Sequence, residues 1–235
     1  MNIQDTVTLV TGANRGLGRA LVAQLLARGA RKVYAATRDG EPVDPDKRVV
    51  AIRLDITDPT QARAAAQTAP DVRLLINNAG VLASMNVLVS EPADLHRDVD
   101  VNYYGLLHMA RAFAPQLIAS KHAAIVNVLS VAAMASMPAL GGYSASKAAA
   151  WSLTQALRGE LRGKGVAVHA AFPGPIDTDM IRGFDLPKTS AADVAKAILD
   201  GVVAGTEDIA PDAMSSDVLA TFQRDPRAIE RRFAS

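Results

Sequence analysis

Short apolar runs rich in β-branched residues alternate along this chain with longer stretches of helical period, an arrangement that few architectures accept. The runs are Thr6 to Val10, Lys32 to Ala36, Val49 to Arg53, Leu74 to Asn77, Ala124 to Leu129 and Val166 to Phe172, with a weaker one near Ile209. Between them, Leu17 to Arg28 reads as a helix stopped by Gly29, and Pro59 to Ala69 as one opened by Asp58 with proline at its first position. Asn102 to Ser120, about Tyr143 to Arg162, and Ala191 to Val203 follow, the last capped by Ser190. The expected fold class is α/β: a doubly wound parallel sheet of about seven strands with right-handed crossovers and helices on both faces. The irregular pieces "RDGEPVDPDKR" and "PGPIDTDMIRGFDLPKTS" read as surface loops, so residues 1–235 are expected to form a single domain.

Composition removes several function classes. Twenty-five basic residues face 24 acidic ones, so no global field draws in nucleic acid or an anionic membrane. There is no cysteine, which excludes disulfides and thiolate chemistry and suits a reducing, cytoplasmic setting. The start has neither a basic segment nor a long apolar one, and no signal peptide is expected. The most apolar stretch, Ala123 to Leu140, is interrupted by Asn127, Ser130, Ser136 and Pro138 and is not a membrane span. His96, His108, His122 and His169 show no metal-ligand spacing, and neither a G-x-S-x-G elbow nor a phosphate-loop lysine is present.

After the first strand comes "TGANRGLG", with Gly12, Gly16 and Gly18. At a strand-to-helix turn, glycine permits positive φ and lets a pyrophosphate approach backbone amides at the positive end of the helix dipole. That places a dinucleotide site, and a Rossmann-type fold, at the amino end of the chain. About twenty residues further on, a carboxylate would accept from the ribose 2′-hydroxyl of NAD. Here the second strand ends in Thr37 and Arg38, and Arg15 lies within the glycine turn. Two guanidinium forks suit a 2′-phosphate, which favours NADP(H) over NAD(H), while the nearby Asp39 keeps NAD open.

The segment "YSASK" sets Tyr143 and Lys147 four residues apart, on one helix face. A free phenol is a poor acid-base catalyst at neutral pH, and a neighbouring ammonium and a positively charged nicotinamide are both expected to favour its ionised form. Together with "NNAG" at 77–80, "VNYYG" at 101–105, Ser130 and "PGPIDT" at 173–178, these motifs resemble, in order and spacing, the short-chain dehydrogenase/reductase family. The similarity runs from about Thr6 to Ile209. It implies that Tyr143 protonates a carbonyl oxygen as hydride arrives from the nicotinamide and that Ser130, thirteen residues earlier, hydrogen-bonds that oxygen. It further implies that Lys147 holds the nicotinamide ribose and that Asn102 positions a water beside Lys147. The family's cofactor contacts map onto Gly12, Asn14, Arg15, Gly16, Leu17 and Gly18, then Thr37 and Arg38, and Asp55 with Ile56 at the adenine. They continue through Asn78, Ala79 and Gly80, Tyr143 and Lys147, and Pro173, Gly174, Ile176 and Thr178 around the nicotinamide.

The stretch 180–188 is expected to be a short substrate lid, with Met180, Ile181, Phe184 and Leu186 facing Val81, Leu82, Met134, Met137 and Leu140 in an apolar pocket. An apolar ketone or aldehyde is the expected substrate, although Arg182 and Lys188 leave an acidic substrate or carrier protein open. Residues 213–235 replace the family's usual glycine-rich tail with a helical extension broken at Pro226. This puts a tetramer in doubt and leaves a homodimer through 102–120 and 143–162, with Ala148, Ala149 and Ala150 allowing close approach. The expected activity is an NADP-dependent carbonyl reductase or alcohol dehydrogenase. The alternatives are a ketoacyl-thioester reductase and a nucleotide-sensing regulator without turnover, and the presence of both Tyr143 and Lys147 counts against the latter.

Overall fold

The computed structural model describes residues 1–120 and 122–234. Seven parallel strands form one sheet in the order β3-β2-β1-β4-β5-β6-β7. The strands are β1 Val7–Thr11, β2 Lys32–Thr37, β3 Val49–Arg53, β4 Leu74–Asn77, β5 Ala123–Val128, β6 Val166–Ala171 and the two-residue β7 Asp208–Ile209. Each predicted run lies within one residue of its strand. The sheet order reverses between β1 and β4, and a crevice opens at the carboxyl ends of such a switch point.

Helices cover both faces. α1 (Gly16–Ala27) and α6 (Ala191–Ala204) lie on one side, where Leu21, Leu25, Ile198 and Val10 share a cluster of fully buried side chains. α2 (Pro59–Thr68), α4 (Leu106–Ser120) and α5 (Gly141–Leu161) cover the other, closing over Leu9, Leu75, Phe113 and Ile125. The predicted caps are present: Asp58 accepts from the Thr60 and Gln61 amides, and Ser190 from that of Asp193. One helix was not predicted. α3 (Pro92–Val99) precedes a π-helical segment, Asp100–Gly105, that runs directly into α4. Asn102 therefore sits inside a continuous helical rod rather than at its start. The one buried side chain of α3 is the carboxylate Asp98, so no apolar run marks this helix in the sequence.

The carboxyl-terminal extension forms α7 (Ala213–Arg224) and α8 (Pro226–Ala234), with Pro226 opening the second helix; Ser235 lies outside the described residues. Val218 and Ile229 are fully buried, and Trp151 of α5 packs edge-on against both Phe172 (5.2 Å) and Phe222 (5.4 Å), which joins the extension to the main core. Ala150 is also fully buried, which corrects its assignment to a dimer surface: of Ala148, Ala149 and Ala150, Ala148 is exposed and Ala149 half-buried. Among the described residues, no helix is long and apolar enough to cross a membrane.

Candidate active site

At the carboxyl end of β1 the chain enters the glycine turn. Gly12 adopts φ +64°, and a Cβ on it would lie 2.9 Å from the Ala79 Cα; a Cβ on Gly18 would lie 2.1 Å from the Gly12 carbonyl oxygen. Only glycine fits either position. The following segment of β4 is locked to this turn across the switch point. Asn78 Nδ2 donates to the carbonyls of Thr11 (2.9 Å) and Gly12 (3.2 Å), while the Asn78 and Ala79 amides donate to Thr11 Oγ1, each at 3.0 Å. Arg15 occupies the N-cap of α1 with no side-chain cap bond, and the first turn holds no acid. Its amides are left to an anion, so the turn fits a pyrophosphate.

A single cleft of about 990 Å³ follows the carboxyl ends of the strands. Every cofactor residue expected from the sequence lines it: Gly12, Asn14, Arg15, Gly16, Leu17, Gly18, Thr37, Arg38, Asp55, Ile56, Asn78, Ala79, Gly80, Tyr143, Lys147, Pro173, Gly174, Ile176 and Thr178. Asp39 is drawn into its own turn, accepting from Thr37 Oγ1 (2.7 Å) and the Glu41 amide (3.2 Å), bonds that hold its carboxyl below the ordinary value. Arg38 is exposed on the cleft rim and, among the described residues, forms no ion pair. Across the mouth, Arg15 lies 3.8 Å from Asp179, which also pairs with Arg182. Asp55 uses Oδ1 to order its turn, accepting from the Thr57 amide and hydroxyl.

Deeper in the cleft, β5 delivers Ser130 and α5 delivers Tyr143 and Lys147. Ser130 Oγ accepts from the Ala132 amide, and the Ser130 side chain acts on the Tyr143 hydroxyl to lower its pKa. Lys147 Nζ donates to the Val128 carbonyl at 3.0 Å and lies 5.7 Å from the centre of the Tyr143 ring. Burial pushes Tyr143 up to about 12, with Asp98 adding to the rise and the Ser130 side chain opposing it. Burial brings Lys147 down to about 8, against the pull of Asp98. Among the protein's own groups, desolvation is the largest influence on Tyr143 and favours its protonated form.

Asn102 is buried behind the cleft wall rather than lining it. Its Nδ2 donates to the Val81 carbonyl and Ser146 Oγ, each at 2.9 Å, and its Oδ1 accepts from the Val81 amide at 3.0 Å. At the substrate end, Val81, Leu82, Met137, Leu140, Met180, Ile181, Phe184 and Leu186 line the cleft. Met134 does not; it follows a short 3-10 turn at Val131–Ala133 that turns its side chain into the core cluster.

Two acids at the site escaped the sequence reading. Asp212, the N-cap of α7, accepts from the Gly174 amide at 2.8 Å, tying the extension to the loop after β6. Asp98 is buried beside the Val81–Ser84 segment. Asp212 did carry a signal, since an acid ahead of an amphipathic run marks a cap. Asp98 carried none. The described residues contain no group of acids and histidines able to hold a metal.

Comparison with known proteins agrees with this geometry. A 1-deoxy-11-beta-hydroxypentalenate dehydrogenase from Streptomyces avermitilis is 36% identical over 204 residues, covering 81% of this chain and 76% of that protein. A short chain dehydrogenase from Burkholderia cenocepacia, solved in complex with NADP, superposes with a TM-score of 0.95 at 41% identity over the full length of both chains. A Burkholderia phymatum short chain dehydrogenase/reductase, solved with NAD, gives 0.85 at 28% identity, covering 99% of this chain and 96% of that one. The profile of the short chain dehydrogenase family matches residues 6–187. With that match spanning most of the sequence, and the glycine turn and the Ser130, Tyr143 and Lys147 cluster sharing one cleft, the chain belongs to the short chain dehydrogenase family.

Proposed function

We propose that this NAD(P)-dependent oxidoreductase is an NADP(H)-preferring carbonyl reductase acting in the cytoplasm on an apolar ketone or aldehyde, with Tyr143 as its proton donor. The observation that carries the reading is the meeting of Ser130, Tyr143 and Lys147 in the cleft whose other end is the glycine turn. The residues present fit the dinucleotide: free amides at α1 for the pyrophosphate, Asp55 and Ile56 for the adenine, and Gly174 to Thr178 for the nicotinamide. When bound, the cofactor supplies a hydride to the carbonyl carbon, or accepts one from the alcohol.

The chain's own groups do the rest. Ser130 hydrogen-bonds the carbonyl oxygen and orients it toward Tyr143. Tyr143, protonated at neutral pH, donates its proton from Oη to that oxygen, so the reduction direction suits the charge state the protein imposes. Lys147 holds the nicotinamide ribose, and Asn102 braces Val81 against α5. The 180–188 segment closes over the substrate as a lid with an apolar inner surface. Preference for NADP(H) rests on Arg15 and Arg38 at the rim, on the engagement of Asp39 in its own turn, and on the NADP-bound Burkholderia cenocepacia relative.

The test is oxidation of NADPH and NADH by purified protein against a ketone and aldehyde panel that includes thioester substrates. Turnover with NADPH on apolar carbonyls is expected. Turnover confined to thioesters, or none although NADPH binds, would overturn the reading.

A further inference from the structure

Asp98 is a fully buried carboxylate that the mechanism above does not use. It stands in the last turn of α3, four residues before Asn102. Its Oδ1 accepts from the Ala83 amide at 2.9 Å, and its Oδ2 accepts from the Ser84 amide at 3.0 Å and the Ser84 hydroxyl at 2.5 Å. One turn later, Asn102 exchanges hydrogen bonds with both backbone groups of Val81. One face of the helical rod therefore grips both ends of Val81–Ser84, the segment that puts Val81 and Leu82 on the cleft wall.

That segment is pressed against the start of α5. A Cβ on Gly142, next to Tyr143, would lie 2.1 Å from Ser84 Oγ. Asp98 holds the loop at an unusual cost, because among the described residues no lysine, arginine or histidine forms an ion pair with it. A neutral side chain would accept some of the same hydrogen bonds without desolvating a charge. The ionisable groups that face it from α5 are Tyr143 and Lys147, and both feel its charge. The Val81–Ser84 segment brings no ionisable side chain; on the same helical rod, Asp94 is half-buried, and Arg97 and Asp100 are exposed.

We propose that Asp98 is a positioning residue for the reaction: it fixes the Val81–Ser84 wall against the first turn of α5 and maintains a negative charge beside Tyr143 and Lys147. The proposal rests on the catalytic reading of those two residues.

Asp98→Asn keeps the shape and removes the charge, whereas Asp98→Ala removes both. The first measurement is the urea midpoint of the cofactor-free protein from neutral to alkaline pH, which needs no turnover. Lys147 titrates near 8 in the folded chain against an ordinary 10.5, so the unfolded state binds more protons between those values and stability rises with pH across that window. Without the Asp98 charge, Lys147 loses its proton earlier, and in Asp98→Asn the rise should begin at a lower pH than in the wild type. Lys147→Met, as the control, should show no such rise. A merely structural Asp98 would lower every midpoint without moving the window, and superimposable windows in wild type and Asp98→Asn would overturn the proposal.

The second measurement is the pH profile of kcat/KM on a carbonyl that the wild type reduces. The limb set by Lys147 should move by the same amount in Asp98→Asn. Asp98→Ala should also raise the carbonyl KM at an unchanged NADPH KM, because the wall it loosens is on the substrate side. If the wild type reduces no carbonyl, the catalytic reading fails, while the urea window still decides whether the charge acts on Lys147.

Discussion

Burial lifts the Tyr143 hydroxyl to about 12, with the Ser130 side chain acting against the rise, and this favours the proton-donor role proposed for it. Tyr143→Phe should lower kcat/KM for carbonyl reduction by about 10²–10⁴-fold, the usual range for a lost general acid, and leave NADPH binding intact by fluorescence titration. The same residue makes a pH prediction of opposite sign to that of Lys147. Its folded value lies above the ordinary 10.0, so stabilisation is complete below pH 10 and is lost as pH rises toward 12. The fall in urea midpoint above pH 10 should therefore be shallower in Tyr143→Phe than in the wild type. At the glycine turn, Gly18→Ala would drive a Cβ into the Gly12 carbonyl oxygen and should cost about 1–3 kcal/mol in urea denaturation along with cofactor affinity. Tyr143, Lys147 and Ser130 were legible in the sequence because their order and spacing, with the other motifs in register, resemble the short-chain dehydrogenase/reductase family. Met134 and Met137 were not separable, since the 3-10 turn at Val131–Ala133 decides which methionine faces the cleft.

Among the elements, the strands were legible to within a residue, because strands buried on both faces leave continuous apolar runs. α3 and the π-helical segment were not. A π turn is a local change of hydrogen-bond register, and this one places Gly105 where a Cβ would lie 2.5 Å from the Ile56 side chain. The extension was legible as helical, but its link to the site was not, because residues 38 positions apart meet only when α7 docks. Asp212 caps α7 through the Ser215 amide and holds the Gly174 amide with its other oxygen. Asp212→Ala should destabilise the fold by about 0.5–2 kcal/mol, the usual worth of an N-cap. It should also raise the KM for NADPH more than that for the carbonyl, which initial-rate kinetics can separate.

At the scale of the whole molecule, the sheet order brings two arginines from separate elements, Arg15 before α1 and Arg38 after β2, to one cleft, and the proposed preference for NADP(H) rests on them. Arg38→Ala should weaken NADPH binding by about ten-fold or more, the worth of one charge-assisted hydrogen bond, with little effect on NADH. Equal losses for both cofactors would remove the 2′-phosphate argument. Self-association through the exposed face of α4 and α5 predicts a dimer, checked by sedimentation; a monomer or a tetramer would refute it. By itself the sequence determined the strand order, most of the helices, the parallel sheet and the glycine turn, since each is encoded in local pattern, while Ser130, Tyr143 and Lys147 were marked by the resemblance of motifs in register. Only the tertiary structure decided that Asn102 lies behind the wall, that Ala150 and Met134 belong to the core, that burial raises the Tyr143 pKa, and that Asp98 bonds Ala83 and Ser84 and Asp212 bonds Gly174. These outcomes depend on burial and on contacts between segments distant in the chain, and desolvation is a property of the packed molecule.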